Sequence, residues 1–228
     1  YRYRLESIMC AIFGSTDKEK FIELAEQNQY RGKSSFSISM FVTSRYENYD
    51  NHSLIQHKLT HKKSGLFNAE AIERYTEDNP THWITYYLGH VQAPTTDSDD
   101  IHPSEIVGDL LWHNGIIKDY QVTDWKRQYG MLDWDTGLLH RHFVLGGELD
   151  NIDGTFSCAR YEYGPGALTL FRNEISPLYY DDNLNISSVE FENSHETESG
   201  VQYLMDIRRS ELEPMKRFET KENPYYFG

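Results

Sequence analysis

Between Cys10 and Tyr180 the chain is cut by Gly, Pro, Asn and Asp into short runs, mostly of strand length, and that punctuation leaves few folds open. Cys10 to Gly14 is an apolar run closed by a glycine and reads as a first strand. Ser35 to Thr43 alternates polar and apolar residues, with His52 to Leu59 as its partner across a turn at 46–51. Trp83 to Val91, Ile106 to Ile117, Thr155 to Tyr163, Ala167 to Arg172 and Pro177 to Tyr180 complete the strands, the second of them interrupted by His113-Asn114-Gly115. Helical spacing appears at Asp17 to Gln29, where Phe21, Leu24 and Ala25 share one face, and at Asn68 to Tyr75, Asp119 to Tyr129 and Thr136 to Leu145. Gln92 to Pro103 reads as a loop and Ser187 to Gly200 as an acidic surface segment. The tail from Arg208 is charged and broken by Pro214 and Pro224. Strands in two groups with helices between them indicate a layered mixed α and β fold in one domain.

At 228 residues the chain is long enough to bury a core without disulfides or metals. Its net charge of −14, from 36 acidic and 22 basic residues, argues against non-specific binding to nucleic acid or to an anionic membrane. No stretch approaches the roughly 20 apolar residues of a membrane span. Residues 1–8 lack the apolar centre of a secretory signal. Two cysteines, Cys10 and Cys158, make no disulfide framework, so a reducing, cytoplasmic setting is expected.

Cys10 directly follows Met9. If residues 1–9 form a leader that is removed, Cys10 carries a thiol nucleophile and an α-amine base in one residue. Asn114-Gly115 offers a side-chain amide and a flexible backbone N–H, the two donors that an oxyanion hole needs. Together they point to amide-bond chemistry. Plainer readings stand beside these: a buried structural cysteine, and a tight Asn-Gly turn between strands. Cys158 reads as core. His57 and His61 are four apart in or after a strand, where that spacing does not converge, and no metal-binding motif is present, so neither a metal nor a cofactor is expected. Asp97, Asp99 and Asp100 read as a solvated loop.

The order of these pieces resembles the class II glutamine amidotransferase domain, an N-terminal-nucleophile hydrolase, from Cys10 to about Asp182. Met9-Cys10-Ala11-Ile12-Phe13-Gly14 is similar to the family's start, and Tyr30-Arg31-Gly32 to its Arg-Gly loop. Leu88-Gly89-His90-Val91-Gln92-Ala93-Pro94-Thr95 resembles its Gly-His-x-Arg-x-x-Thr segment, with Gln92 in place of the arginine. His113-Asn114-Gly115, Asp135-Thr136, Asp153-Gly154-Thr155-Phe156 and Phe171-Arg172-Asn173-Glu174 through Tyr180 follow in family order.

The resemblance implies an α+β fold, a four-layer α-β-β-α sandwich over residues 10–228. It implies Cys10 as nucleophile, Asn114 and Gly115 as oxyanion donors, and a substrate pocket using Asp135, Arg31, Thr95 and position 92. It also implies glutamine as substrate and a separate synthase protein as acceptor of the ammonia. Asp135 is equally readable as the N-cap of its helix. Gln92 is the departure: a neutral amide replaces a guanidinium that would clamp a carboxylate, which weakens glutamine binding roughly tenfold or more unless Arg31 compensates. Two alternatives follow, an amidase for another γ-glutamyl or small amide and a scaffold or interaction protein without turnover.

Overall fold

The computed structural model describes residues 10–44, 56–93, 99–118, 134–162 and 167–221. In chain order these form β1 (Ala11–Ser15), α1 (Lys18–Asn28), β2 (Ser35–Ser44), β3 (Gln56–Ser64), α2 (Glu70–Asp78), β4 (His82–Gln92), β5 (Ser104–Ile106) and β6 (Asp109–Ile117). Then come α3 (Asp135–Val144), β7 (Gly154–Glu162), β8 (Ala167–Arg172), β9 (Tyr179–Tyr180), β10 (Ile186–Ser187), β11 (His195–Glu196), β12 (Val201–Asp206) and β13 (Glu211–Arg217). Among the described residues the strands make two antiparallel sheets. One has seven strands in the order β11-β9-β10-β1-β4-β2-β3, the other six in the order β13-β12-β8-β7-β6-β5.

Alternation along the strands sorts the apolar residues into three interfaces. Ile12, Phe41, Tyr86 and Leu88 of the first sheet meet Leu110, Trp112, Ala159, Tyr161 and Leu170 of the second. Ala11, Phe13, Phe36, Ile38 and Met40 point the other way, onto Phe21, Leu24 and Ala25 of α1 and Ile72 of α2. Leu111, Phe156, Cys158 and Phe171 take Leu138, Leu139 and Phe143 of α3 on the far side of the second sheet. The result is two facing sheets with a helix layer behind each, compatible with the expected α+β sandwich. Asp17 caps α1 by accepting from Lys20 N–H at 2.7 Å. Burial of Phe21 and Leu24 then contributes about 1.5–3 kcal/mol each. No helix among the described residues is long and apolar enough to cross a membrane.

Several elements differ from the sequence reading. β3 runs on to Ser64 through Thr60-His61-Lys62-Lys63, polar because it is an edge strand. The run from Ile106 is a hairpin, not one strand, since Val107 (φ 51°) and Gly108 (φ 85°) turn the chain from β5 into β6. His113-Asn114-Gly115 does not interrupt β6, which pairs with β7 without a break from Leu110↔Tyr161 to Ile117↔Gly154. Gln92 closes β4 instead of opening a loop. The segment 187–200 is surface only in part: Glu190, Glu192, Glu196 and Glu198 are exposed, while Ser187, Ser188, Phe191 and Thr197 are buried and β10 lies beside β1 in the first sheet. The charged tail forms β13, an edge strand that accommodates Pro214 at a register shift against β12. The turn at 46–51 and the helix at 119–129 fall outside the described residues.

The face between the sheets changes character along its length. On β4 it reads Tyr86, Leu88, then His90; on β6 Leu110, Trp112, then Asn114; on β7 Tyr161, Ala159, then Ser157. At the polar end, the His90 ring stacks on His102 with centroids 3.7 Å apart. His102 Nε2 and His113 Nδ1 both lie 3.0 Å from Thr136 Oγ1, which donates to one and accepts from the other. Burial lowers all three imidazoles, His90 to about 3, so they are neutral at pH 7. His140, bonded to Ser104 Oγ at 2.9 Å, is lowered to about 4 chiefly by burial.

These histidines set a pH dependence. Their folded pKa values lie below the unfolded value near 6.5, so their stabilising effect is complete above pH 6.5 and is lost as pH falls toward 4. The unfolded chain then takes up protons that the folded one refuses, at a cost on the order of 1 kcal/mol per pH unit for each histidine. The urea midpoint should drop clearly between pH 7 and pH 5; a flat profile would show that the imidazoles are not held neutral. A second test addresses the β6–β7 ladder. Gly115 has φ +148°, and a Cβ there would stand 1.9 Å from the Thr155 carbonyl oxygen. Gly115→Ala is expected to cost about 3 kcal/mol or more and lower Tm by roughly 6–12 °C. An unchanged melting curve would refute this register.

Candidate functional site

Cys10 stands at the entrance to β1, and β1 is buried throughout between β4 and β10. Its thiol is 6% exposed and donates to the Ala93 carbonyl at 3.4 Å. Burial pushes the thiol pKa up to about 12; the Ala93 hydrogen bond and Arg31 pull it down, and the Asp135 carboxylate pushes it up further. At pH 7 the sulfur is therefore held as the thiol, and attack needs a base at hand.

Arg31 reaches this sulfur-bearing residue through the backbone: its Nε donates to the Cys10 carbonyl at 3.2 Å. Its Nη2 is buried with no partner among the described residues. The loop is pinned there by Gly32, whose Cβ, if it had one, would lie 2.5–2.8 Å from Gln92 backbone atoms. Ser34 N–H also donates to Gln92 O at 3.0 Å. The loop carrying Arg31 and the end of β4 are thus one unit.

Gln92 does not present its amide outward. The Nε2 donates to the Asp100 carbonyl at 2.9 Å, and Oε1 accepts from Ser35 Oγ at 3.1 Å. The residue is 7% exposed. Its hydrogen-bonding capacity is spent on holding 99–102 against β4, so position 92 acts here as a brace.

Asp135 is the first residue of α3, not its N-cap; Trp134 occupies that place without a side-chain cap bond. The carboxylate still serves the helix end, since Oδ1 accepts from Thr136 N–H at 2.8 Å, while Oδ2 accepts from Ile117 N–H at 3.1 Å. That pair ties α3 to the end of β6 and leaves lone pairs for another donor. Its charge is felt by Cys10, His113 and Cys158, which places it among them.

Asn114 projects between the sheets. Its Nδ2 lies 3.4 Å from Ser157 Oγ and 3.4 Å from Ser188 Oγ, and its Oδ1 is buried without a partner among the described residues. Ser188 in turn holds β1: its Oγ accepts from Ile12 N–H at 2.9 Å and its N–H donates to Ile12 O at 2.8 Å. Asn114 is therefore one serine away from the residue two places after Cys10. Thr95 lies outside the described residues, and Cys158 is buried under α3 in the outer core.

The structure brings Cys10, Arg31, Gln92, Asp135, Asn114 and Gly115 to the polar end of the sandwich. Sequence reasoning missed Ser157, Ser188, His102 and Thr136. The serines carried no usable signal, Ser157 being one position in a strand run and Ser188 one residue in a segment whose acidity suggested a surface. Thr136 belongs to a quoted motif and His102 to a loop, and only the fold shows that they meet.

Neither a protein-family model nor a curated protein sequence matches the chain. Among solved structures it is similar to the glutamine phosphoribosylpyrophosphate (PRPP) amidotransferase from B. subtilis, complexed with ADP and GMP, with a TM-score of 0.59 and 14% sequence identity. The match covers 92% of this chain and 48% of that one, so the chain spans about half the length of its neighbour. At that identity the likeness is one of fold.

Proposed function

We propose that the protein is a class II glutamine amidotransferase-like enzyme with the four-layer N-terminal-nucleophile fold. It releases ammonia from the side-chain amide of glutamine and hands it to a separate synthase. The observation that carries this reading is the convergence of Cys10, Arg31, Asp135 and Asn114 on the entrance to β1.

The chemistry starts with removal of everything ahead of Cys10. While Met9 is attached, the Cys10 nitrogen is an amide and no base stands on the nucleophile. Freed, the α-amine titrates near pH 8 and takes the thiol proton. The sulfur then attacks the amide carbon, forming a C–S bond and an oxyanion that accepts hydrogen bonds from the Asn114 NH2 and the Gly115 N–H. Collapse breaks the C–N bond, the amine returns the proton to the leaving nitrogen, and ammonia departs. Water hydrolyses the thioester to glutamate and restores the thiol. Asp135 receives the substrate α-ammonium. Arg31, with its unpaired Nη2, receives the α-carboxylate in place of the arginine missing at position 92.

A second reading has a specific observation behind it. While any residue precedes Cys10, its nitrogen is an amide and burial holds its thiol protonated, so such a chain is a scaffold without turnover.

Intact mass separates the two forms, and glutamate release is measured on each. A chain beginning at Cys10 is expected to hydrolyse glutamine and the longer chain not to. Cys10→Ala should abolish release and leave the melting curve in place; undiminished release from that variant ends the nucleophile assignment. Arg31→Lys keeps the charge and loses the planar fork, so KM for glutamine should rise about tenfold with a smaller change in kcat. A KM unaltered by this change would remove Arg31 from the substrate pocket.

A further inference from the structure

Two features of Asn114 do not sit together as drawn. Its NH2 faces two hydroxyls, while its carbonyl oxygen is buried with nothing donating to it. A buried carbonyl with no donor is unfavourable. The amide is nearly symmetric in shape, so the hydroxyls decide which way it turns. Ser188 Oγ already accepts from Ile12 N–H, which leaves its own proton to be donated. Among the described residues the Ser157 hydroxyl bonds nothing besides Asn114 and is free to donate as well. With the carboxamide turned over, Oδ1 accepts from both serines. The NH2 then takes the buried place that Oδ1 held, where no acceptor stands among the described residues and a substrate oxyanion would supply one.

We infer that Ser188, assisted by Ser157, is a positioning residue that orients the Asn114 carboxamide so that its NH2 serves the oxyanion and fixes its distance from the Cys10 strand. The inference rests on the proposed function for its catalytic meaning. Ser188 suits the task because it touches both sheets. Two hydrogen bonds bind it to Ile12 of β1 and a third reaches Asn114 of β6, so a shift of either strand moves nucleophile and oxyanion donor together. Ser157 comes from β7, directly opposite Asn114 in the ladder, and holds the amide from the other side. Both serines are buried.

The test compares Ser188→Ala, Ser157→Ala and the hydroxyl-retaining Ser188→Thr in the chain that begins at Cys10. Loss of either hydroxyl should lower kcat for glutamine hydrolysis about tenfold or more with KM nearly unchanged, and Ser188→Thr should restore most of it. Alkylation of Cys10 by iodoacetamide needs no oxyanion hole and should keep its wild-type rate. Binding of the γ-semialdehyde of glutamate, whose thiohemiacetal oxygen occupies the hole, should weaken by the same factor as kcat.

A readout independent of turnover is the side-chain NH2 signal pair of Asn114 in ¹⁵N-labelled protein. The alanine variants should broaden it and speed its hydrogen exchange while the backbone amides of β1, β6 and β7 stay in place. Unchanged Asn114 signals, or a fall in alkylation equal to the fall in kcat, would overturn the assignment. If wild type shows no glutaminase activity but the NH2 signals respond, the proposed function fails and the positioning role stands. Ser157→Ala leaves the β1 contacts intact, so it decides the matter if Ser188→Ala does not fold.

Discussion

The structure depends on β1 having no face toward water. Ala11 and Phe13 press on α1, Ile12 presses into the space between the sheets, and both edges are hydrogen-bonded, to β4 and to β10. A strand held on four sides has no freedom to slide, because a shift of one residue would exchange Phe13 for Ile12 across the sheet. Cys10 inherits that rigidity from its neighbours. The arrangement also explains the buried, protonated thiol: the packing that fixes the sulfur removes it from water, and the thiol pKa rises accordingly.

Polarity is rationed along the interface between the sheets. Where Tyr86, Leu88, Trp112 and Tyr161 meet, hydrophobic burial holds the layers together. One step farther along the same strands the residues are His90, Asn114 and Ser157, whose burial is tolerable only because hydrogen bonds replace water. Thr136 is the junction, since its single hydroxyl serves His102 and His113 and so joins α3, β6 and the approach to β5. That junction needs neutral rings. Two imidazolium rings stacked at 3.7 Å would repel, so the same bonds that build the site limit the protein to the pH range where His90 and His102 are uncharged.

The sequence revealed those elements whose periodicity is long enough to read. α1, with its Asp17 cap and the face of Phe21, Leu24 and Ala25, and β2, β4, β7 and β8 were all visible from spacing. Two-residue strands such as β10 and β11 have no period at all, and their pairing is set by distant partners, as in Phe13↔Ser187. Edge strands are polar or charged because water covers one side, which concealed β13 and the second half of β3, although Gln56 to Leu59 fell within the expected partner of β2. The site was legible as separate motifs, Cys10, Arg31-Gly32, Asn114-Gly115 and Asp135. What joins them, Ser188 to Ile12 and Gly32 against Gln92, is tertiary contact between residues of no special type.

Arg31 and Gln92 lie on two segments that are held together, the Arg31 loop and the end of β4. Gln92 uses its amide for Ser35 and the Asp100 carbonyl, so the end of β4 is stabilised by neutral hydrogen bonds. A guanidinium in its place would bring a second charge into a space already bordered by Arg31. Arg31 itself is tied down at one nitrogen only, by the Cys10 carbonyl, and its Nη2 is buried without a partner among the described residues. Arg31 is partly buried, and its shielded Nη2 edge would be satisfied by an anionic group of the right shape. Under the proposed function, Arg31 and Asp135 are the groups that meet the carboxylate and the ammonium of glutamine, beside the cysteine at the entrance to β1.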